Sequence, residues 1–237
     1  MNEVSLWTKI KEDFSQPILH DPAINSKVEL FFNYPGVWAL VNYRIAHMLY
    51  VHGFKRVARM LMGISQIITN IDIHPACTIG RRVFLDHAFG VVIGETAIIG
   101  NEVLIYQGVT LGGVSLERGI KRHPTIGHNT VIGSGAKILG DIVIGNNCRI
   151  GSNSVVVKSI PNDSTAVGIP ARIIEKGRDK NPMAHNKIPD INKELFIYMF
   201  KRLKILEEII QHNHGDAKTK DDELELIYKS YLESVKE

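Results

Sequence analysis

Cysteine is scarce in this chain: Cys77 and Cys148 are the only two among 237 residues. Both occupy the same slot of a repeating pattern described below. They read as small buried core residues, and not as a disulfide or a metal pair. A reduced, cytoplasmic protein is the expectation. Long apolar runs are also missing. No stretch approaches the roughly 18 uncharged apolar residues of a membrane span. The opening MNEVSLWTKIKEDFSQPILH has no apolar core of a secretory signal. Charge of one sign is not in excess: the net charge of +3 is too small to argue for a nucleic-acid partner. What is present, 44% hydrophobic and 22% charged residues, is the make-up of an ordinary globular chain.

The organising feature runs from Ile73 to Ile173. Aliphatic residues recur every six positions at Ile73, Ile79 and Leu85, then, after a two-residue slip, at Ile93, Ile99, Ile105 and Leu111. After a break the count resumes at Ile126, Ile132, Ile138, Ile144, Ile150 and Val156. A small or β-branched residue follows four places later, as at Cys77, Val83, Ala97, Val109, Ala136, Cys148 and Ser154. A hexapeptide period is the mark of a parallel β-helix. Each hexad makes one short strand and one turn and turns one aliphatic inward. No hexad buries that residue alone, so the coils stabilise one another. A β-sandwich is disfavoured, because its strands recur at roughly 8–12 residues.

Residues 1–70 read as a helical domain that caps the open end of the coil. Leu6, Ile10 and Phe14 share a face, and Asp21-Pro22 suits a helix start. Tyr34-Pro35-Gly36 is a break, Val37 to Leu49 continues at helical spacing, and a further apolar helix covers about 57–68. Trp38, Tyr43 and Met60 read as core packing. The coil proper is expected over 71–175, with an extruded loop at 112–124, GGVSLERGIKRHP. A 13-residue loop inside so tight a repeat points to a use. A polar linker follows over 176–190. Residues 191–237 read as a C-terminal helical extension, with one seam at Phe196, Met199, Leu203, Leu206 and Ile210 and a second at Leu224, Ile227, Tyr228, Tyr231 and Val235. The fold class expected is thus mainly β with α.

Ten histidines are present. His47, His52, His185, His212 and His214 read as ordinary surface or packing residues, while His74, His87, His123 and His128 lie in or beside the coil. His87 stands out because it directly precedes the slip, and a slip re-aims neighbouring side chains as a bulge does in a sheet. With Asp72 and Asp86 near in sequence, it has the makings of a general base with an orienting carboxylate. Spacing does not decide which aspartate faces the ring.

Several motifs in order resemble the serine O-acetyltransferase family. They are Asp72-Ile73-His74-Pro75, Asp86-His87, Gly94-Glu95-Thr96, Tyr106-Gln107-Gly108-Val109-Thr110-Leu111-Gly112-Gly113, Arg122-His123-Pro124, Gly135-Ala136-Lys137-Ile138-Leu139-Gly140 and Val167-Gly168-Ile169-Pro170-Ala171-Arg172. The resemblance covers about 20–175. It implies a left-handed coil of triangular section, against the right-handed habit of βαβ crossovers, assembled as a homotrimer or a dimer of trimers. It implies acetyl transfer from acetyl-CoA to the hydroxyl of L-serine, giving O-acetyl-L-serine for cysteine biosynthesis, with no metal. By the same resemblance His87 is the base and Asp72 its partner, while Asp21, Asp86, Arg122 and His123 hold serine and also L-cysteine as feedback inhibitor. Coenzyme A would lie between neighbouring prisms against Gly113, Ala136 and Ser154. Arg172 and Lys176 would meet its phosphates, and a Gly112-Gly113 backbone N–H would serve as oxyanion donor.

The chain departs from the family at both ends. Its N-terminal region is shorter than that of the longer members. It closes on Ser234-Val235-Lys236-Glu237 where many relatives carry a terminal Ile that plugs O-acetylserine sulfhydrylase, so that partner is not carried over. Three rivals are open: another acceptor, such as homoserine or a sugar; a zinc hydratase of the gamma carbonic anhydrase type using His87, His123 and His128; and a catalytically idle scaffold, against which His87, Asp72 and Arg122 together argue.

Overall fold

A computed structural model describes residues 4–176 and 191–213. The chain opens with four helices, α1 (Leu6–His20), α2 (Lys27–Asn33), α3 (Pro35–Val51) and α4 (Lys55–Thr69). Fifteen short strands follow: β1 (Asp72–Ile73), β2 (Thr78–Ile79), β3 (Phe84–Leu85), β4 (Val92–Ile93), β5 (Ile98–Ile99), β6 (Leu104–Ile105), β7 (Thr110–Gly112) and β8 (Thr125–Ile126). The rest are β9 (Val131–Ile132), β10 (Lys137–Leu139), β11 (Val143–Ile144), β12 (Arg149–Ile150), β13 (Val155–Val156), β14 (Ser164–Gly168) and β15 (Ala171–Lys176). A fifth helix, α5 (Ile191–Asn213), belongs to a separate compact unit.

The strands form three sheets, in the orders β1-β4-β7-β10-β13, β11-β8-β5-β2 and β15-β14-β12-β9-β6-β3. Every third strand joins the same sheet, so the chain climbs a three-faced coil in which all neighbours are parallel except the closing β14–β15 pair. Register shows the period directly. Ile93 pairs with Leu111 and Ile138 with Val156, eighteen residues apart in each case. Ile73 pairs with Ile93, two residues more, because of the slip after His87. Leu111 pairs with Ile138, nine residues more, because of the loop before Pro124.

The expected inward aliphatics form the core: the stack from Ile73 to Val156 is buried throughout, with Cys77, Ala97, Ala136 and Cys148 packed between. A fully buried Ile or Leu contributes about 1.5–3 kcal/mol relative to exposure. Both cysteines are free and buried, and burial pushes the Cys77 thiol up to about 12. The corners between the second and third faces recur at Arg82, Glu102, Asn129, Asn147 and Asp163, all with positive φ. Asn and Asp tolerate that region best, and here they also hydrogen-bond up the column. Asn129 Nδ2 donates to Asn147 Oδ1 and Asn147 Nδ2 to Asp163 Oδ1, both at 2.9 Å.

The helical layer closes the first coil through α3. Tyr43 Oη donates to Cys77 O at 2.7 Å and accepts from Ile79 N at 3.0 Å. Arg44 donates to Ile79 O at 2.6 Å and Gly80 O at 2.7 Å, and its guanidinium is gripped by Asp13 at 3.0 and 3.1 Å. These bonds satisfy strand-edge groups that would otherwise face an uncapped end. Gly36 lets α3 approach, since a side chain there would strike Leu85.

Three local expectations change. Asp21-Pro22 does not begin a helix: Asp21 is the C-cap of α1, its Oδ1 accepting from Ala23 N at 2.8 Å, and α2 starts later from a Ser26–Glu29 capping box. Met60 is not core but 69% exposed, because the buried face of α4 falls on Ala58, Met62, Ser65 and Thr69. The coil does not simply stop near Arg172. The chain folds back through Gly168 (φ 101) into β15, which covers the edge of β14.

In the second unit, Phe196, Met199, Leu203 and Leu206 are exposed along α5. The second expected seam, Leu224 to Val235, and the linker from 177 lie outside the described residues. No helix among the described residues is long and apolar enough to cross a membrane.

Candidate active site

Of the candidate residues, Asp21, Asp86 and His87 gather on one corner of the prism, and Arg122 and His123 on another. The first corner lies between β3 and β4. There the chain takes two extra residues, and His87 (φ 55) and Ala88 (φ 63) both adopt the left-handed region. Such backbone costs an L-residue on the order of 1 kcal/mol and persists only where the surroundings enforce it. Here Ala88 is pinned in the core while the His87 side chain is turned out, 70% exposed. Its nearest carboxylate is Asp86, with Nε2 3.9 Å from Oδ1. Asp21, from the end of α1, reaches the same corner and accepts from Tyr34 Oη at 2.6 Å.

The two aspartates titrate apart. Burial raises Asp86, opposed by His87 and assisted by the nearby Asp21 charge. The Tyr34 hydroxyl, then the Ala23 N–H, hold Asp21 below the usual range. Tyr34 and Tyr106 are both raised, by burial first and then by these two carboxylates. The corner sets two carboxylates beside an exposed imidazole, an arrangement suited to an ammonium group.

The second corner lies between the first and second faces, where β4 turns into β5 and the 112–124 loop leaves β7. Its hub is Thr96. Thr96 N donates to His123 Nδ1 at 3.2 Å. Thr96 Oγ1 accepts from Arg122 N at 3.0 Å and His123 N at 3.1 Å, and lies 2.9 Å from His123 Nδ1. A backbone N–H only donates, so His123 Nδ1 is the acceptor and the ring proton sits on Nε2. The ring is 7% exposed; burial, then the Arg122 charge, hold it below the usual imidazole range. It lies against Gly94 so closely that an added Cβ would overlap Cδ2 and Nε2. Arg122 Nη2 meets Glu95 Oε2 at 2.8 Å and Nη1 meets Glu117 O at 3.4 Å. Lys121 anchors the loop to His123 O and stands 3.5 Å from Asp141. The product is a cationic clamp with an N–H donor beside it, suited to a carboxylate.

From Val91 to Glu95 the chain crosses the whole first face, on the order of 15 Å at about 3.3 Å per extended residue. One prism therefore holds the two clusters apart. His128 occupies the third corner, donating from its backbone N to Asn146 Oδ1, so His87, His123 and His128 do not meet within a protomer.

Asp72 sits in β1, opposite Val92, and among the described residues no hydrogen bond joins it to His87. Gly112 ends β7, and Gly113 packs against Arg122 and His123. Ala136 and Ser154 are buried, Ser154 Oγ accepting from Gly168 N at 3.1 Å, so what they present outward is backbone. Arg172 is exposed on β15, and Lys176 ends that strand. Reading the sequence left Tyr34, Tyr106 and Thr96 without roles. Tyr106 and Thr96 stood in quoted motifs, but nothing in the string marked one as neighbour to the aspartates and the other as the clamp's hub. Tyr34, in a break between helices, gave no signal at all.

Residues 123–158 match the bacterial transferase hexapeptide (six repeats) family. A serine acetyltransferase of Synechococcus elongatus is 43% identical over 207 residues, covering 87% of this chain and 84% of the relative. One from Staphylococcus xylosus is 43% identical over 222 residues, covering 93% and 96%. Among solved structures, a serine acetyltransferase in complex with cysteine aligns with TM-score 0.73 at 38% identity over 78% of this chain and 72% of the other. The Neisseria gonorrhoeae enzyme in complex with serine aligns with TM-score 0.66 at 41% identity over 70% and 68%. A serine acetyltransferase complex with CoA aligns with TM-score 0.66 at 39% identity over 72% and 70%.

Proposed function

The chain belongs to the serine acetyltransferase family, and from that premise we propose how its residues divide the reaction. It is an acyl-CoA-dependent O-acetyltransferase acting on serine, with acetyl-CoA as donor. The observation that carries the division of labour is the pair of complementary clusters on separate corners. An ammonium-binding corner (Asp21, Asp86) and a carboxylate-binding corner (Arg122, His123) match the two ends of an amino acid. No single prism brings both to one molecule. We place the site where the first corner of one protomer meets the second corner of a second copy, in a cyclic trimer of left-handed prisms.

His87 is the base between the two ends. Serine's hydroxyl is a poor nucleophile at neutral pH. His87 takes its proton as the oxygen attacks the thioester carbonyl, and returns it to the thiolate that leaves as coenzyme A. Asp72 or Asp86 orients the ring and stabilises the imidazolium. A Gly112 or Gly113 N–H, close to the clamp, stabilises the oxyanion. Cysteine has the same ammonium and carboxylate, so it competes for the same clamp. The coenzyme runs along the groove between prisms, past the backbone of Gly113, Ala136 and Ser154 towards Arg172 and Lys176. Work in the cytoplasm fits two buried free thiols.

Thiol release from acetyl-CoA, followed with serine, homoserine and an amino sugar in parallel, tests this reading. Serine should be the preferred acceptor, and His87→Ala should lower turnover by at least about 10²-fold with assembly intact. Retained turnover in that variant removes His87 from the mechanism.

A further inference from the structure

Directly below the clamp, on the same corner of the prism, is a concentration of positive charge that the acyl-transfer reading does not use. The α3–α4 turn and the end of β1 border a wide-open cavity of about 460 Å³ lined by Tyr50, Lys55, Arg56, Arg59, Met60 and His74. Arg44, Arg81, Arg82, Lys121 and Arg122 each have a carboxylate within 4 Å. Among the described residues Lys55, Arg56 and Arg59 have none. The first turn of α4 carries no acidic residue, so the positive end of the helix adds to this charge instead of offsetting it.

The lining is ordered by more than charge. Lys55 Nζ lies 5.5 Å over the Tyr50 ring, and Tyr50 meets the His74 ring edge-on at 6.0 Å. His74 Nδ1 accepts from Ala76 N at 3.0 Å, so its proton is on Nε2 and the ring has a donor to offer. Met60, exposed for no reason the core supplies, forms an apolar wall with Tyr50.

We propose that this cavity binds a diphosphate-bearing small molecule, at a site separate from that of the acetyl donor. Three convergent cations match the two to three charges of a diphosphate, whereas one carboxylate would leave two of them unmatched. Arginine fits pairs of phosphoryl oxygens with its planar fork. The volume exceeds what a lone phosphate needs and leaves room for an organic group against Tyr50 and Met60. The position links the cavity to catalysis. His74 N donates to Ile93 O at 2.9 Å, one residue before Gly94, whose missing side chain admits the His123 ring. A ligand here therefore sits one coil below the carboxylate clamp.

His74 supplies the reporter. Burial first, and then the Arg59 charge, hold its pKa below the usual range, and a bound anion reverses the second effect. The full chain would be titrated with pyrophosphate, ADP and adenosine by calorimetry, while the His74 imidazole is followed by NMR. Expected results are that pyrophosphate and ADP bind and adenosine does not, that the His74 pKa rises on binding, and that acetyl-CoA, held just high enough to fill the catalytic site, leaves both affinities unchanged. Replacing Arg56 and Arg59 together by Ala should weaken both ligands by at least about tenfold. Lys55→Gln is the milder second variant should the double one unfold. Absence of binding overturns the proposal. So does binding that ignores the loss of the cations or leaves His74 unmoved. Displacement by acetyl-CoA would make the cavity the coenzyme's own phosphate subsite and overturn its separateness. Binding is read without turnover, so these outcomes are independent of the catalytic assignments.

Discussion

Thr96→Val should disable the carboxylate clamp while leaving the prism standing. The substitution keeps the side-chain shape and the backbone N–H that fixes the His123 tautomer. It removes the one oxygen that accepts from Arg122 N at 3.0 Å and His123 N at 3.1 Å. Leaving a buried donor without an acceptor costs about 1–3 kcal/mol. The corner is only partly buried, so water can rescue one of the two, and about 1–3 kcal/mol is the net expectation. At 1.4 kcal/mol per decade this is a rise in serine KM of about fivefold to a hundredfold. On the proposed division of labour the clamp holds the amino acid and not the reacting bond, so kcat should change by only a few-fold and the acetyl-CoA KM should stay put. Thr96→Ser restores the acceptor and should recover most of the affinity. Gly94→Ala should mimic the defect from the other side, since its Cβ would lie 2.9 Å from His123 Cε1 and closer still to Cδ2 and Nε2. Steady-state kinetics with serine varied, together with thermal unfolding, read both effects. A Thr96→Val enzyme with wild-type serine KM would refute the clamp, and would mean that the Glu95 contact to Arg122 suffices alone.

Three further outcomes follow from the same geometry. Asp13→Ala strands the buried Arg44 charge and should cost about 3–5 kcal/mol in urea unfolding, whereas Glu102→Ala, which breaks the exposed pair with Arg82, should cost under about 1 kcal/mol; equal costs would deny Arg44 its capping role. His123 is depressed by burial and by Arg122, so the unfolded chain takes up a proton before the folded one does. Serine KM and stability should therefore hold steady as pH falls to about 6.5 and worsen only below it, and a break centred at or above the ordinary imidazole value would contradict a ring held neutral by burial and the Arg122 charge. Asp72→Asn and Asp86→Asn separate the two carboxylates offered to His87: loss of the orienting partner lowers kcat, and loss of the ammonium partner raises serine KM. Identical kinetic signatures would show that the two roles are not divided.

The core was legible residue by residue because one inward aliphatic per hexad is a one-dimensional signal, and Ile73 through Val156 lie where that count puts them. The slip at His87 was legible as an irregularity, but its left-handed backbone and outward ring come from Ala88 being held in the core. Asp21-Pro22 misled, because the same residue that caps a helix start also ends one when its carboxylate turns back onto Ala23 N. Arg122 and His123 were named through resemblance. Their common dependence on Thr96, 26 and 27 residues earlier, is a coil-to-coil contact that no local pattern carries. The burial of Ala136 and Ser154, by contrast, follows from the hexad slot they share with Cys77 and Cys148.

The proposed sharing of one site by two protomers is tested most directly by subunit mixing. His87→Ala chains, which lack the base, and Arg122→Ala chains, which lack the serine clamp and are silent at serine well below the wild-type KM, would be unfolded together, reassembled in equal amounts and assayed at that low serine, with mixed trimers verified by native mass. In a cyclic trimer, about one interface in four then joins an intact His87 corner to an intact Arg122 corner, so about a quarter of wild-type activity should return. Mixed trimers no more active than the two parents would place all the catalytic groups within one prism, contrary to the account given.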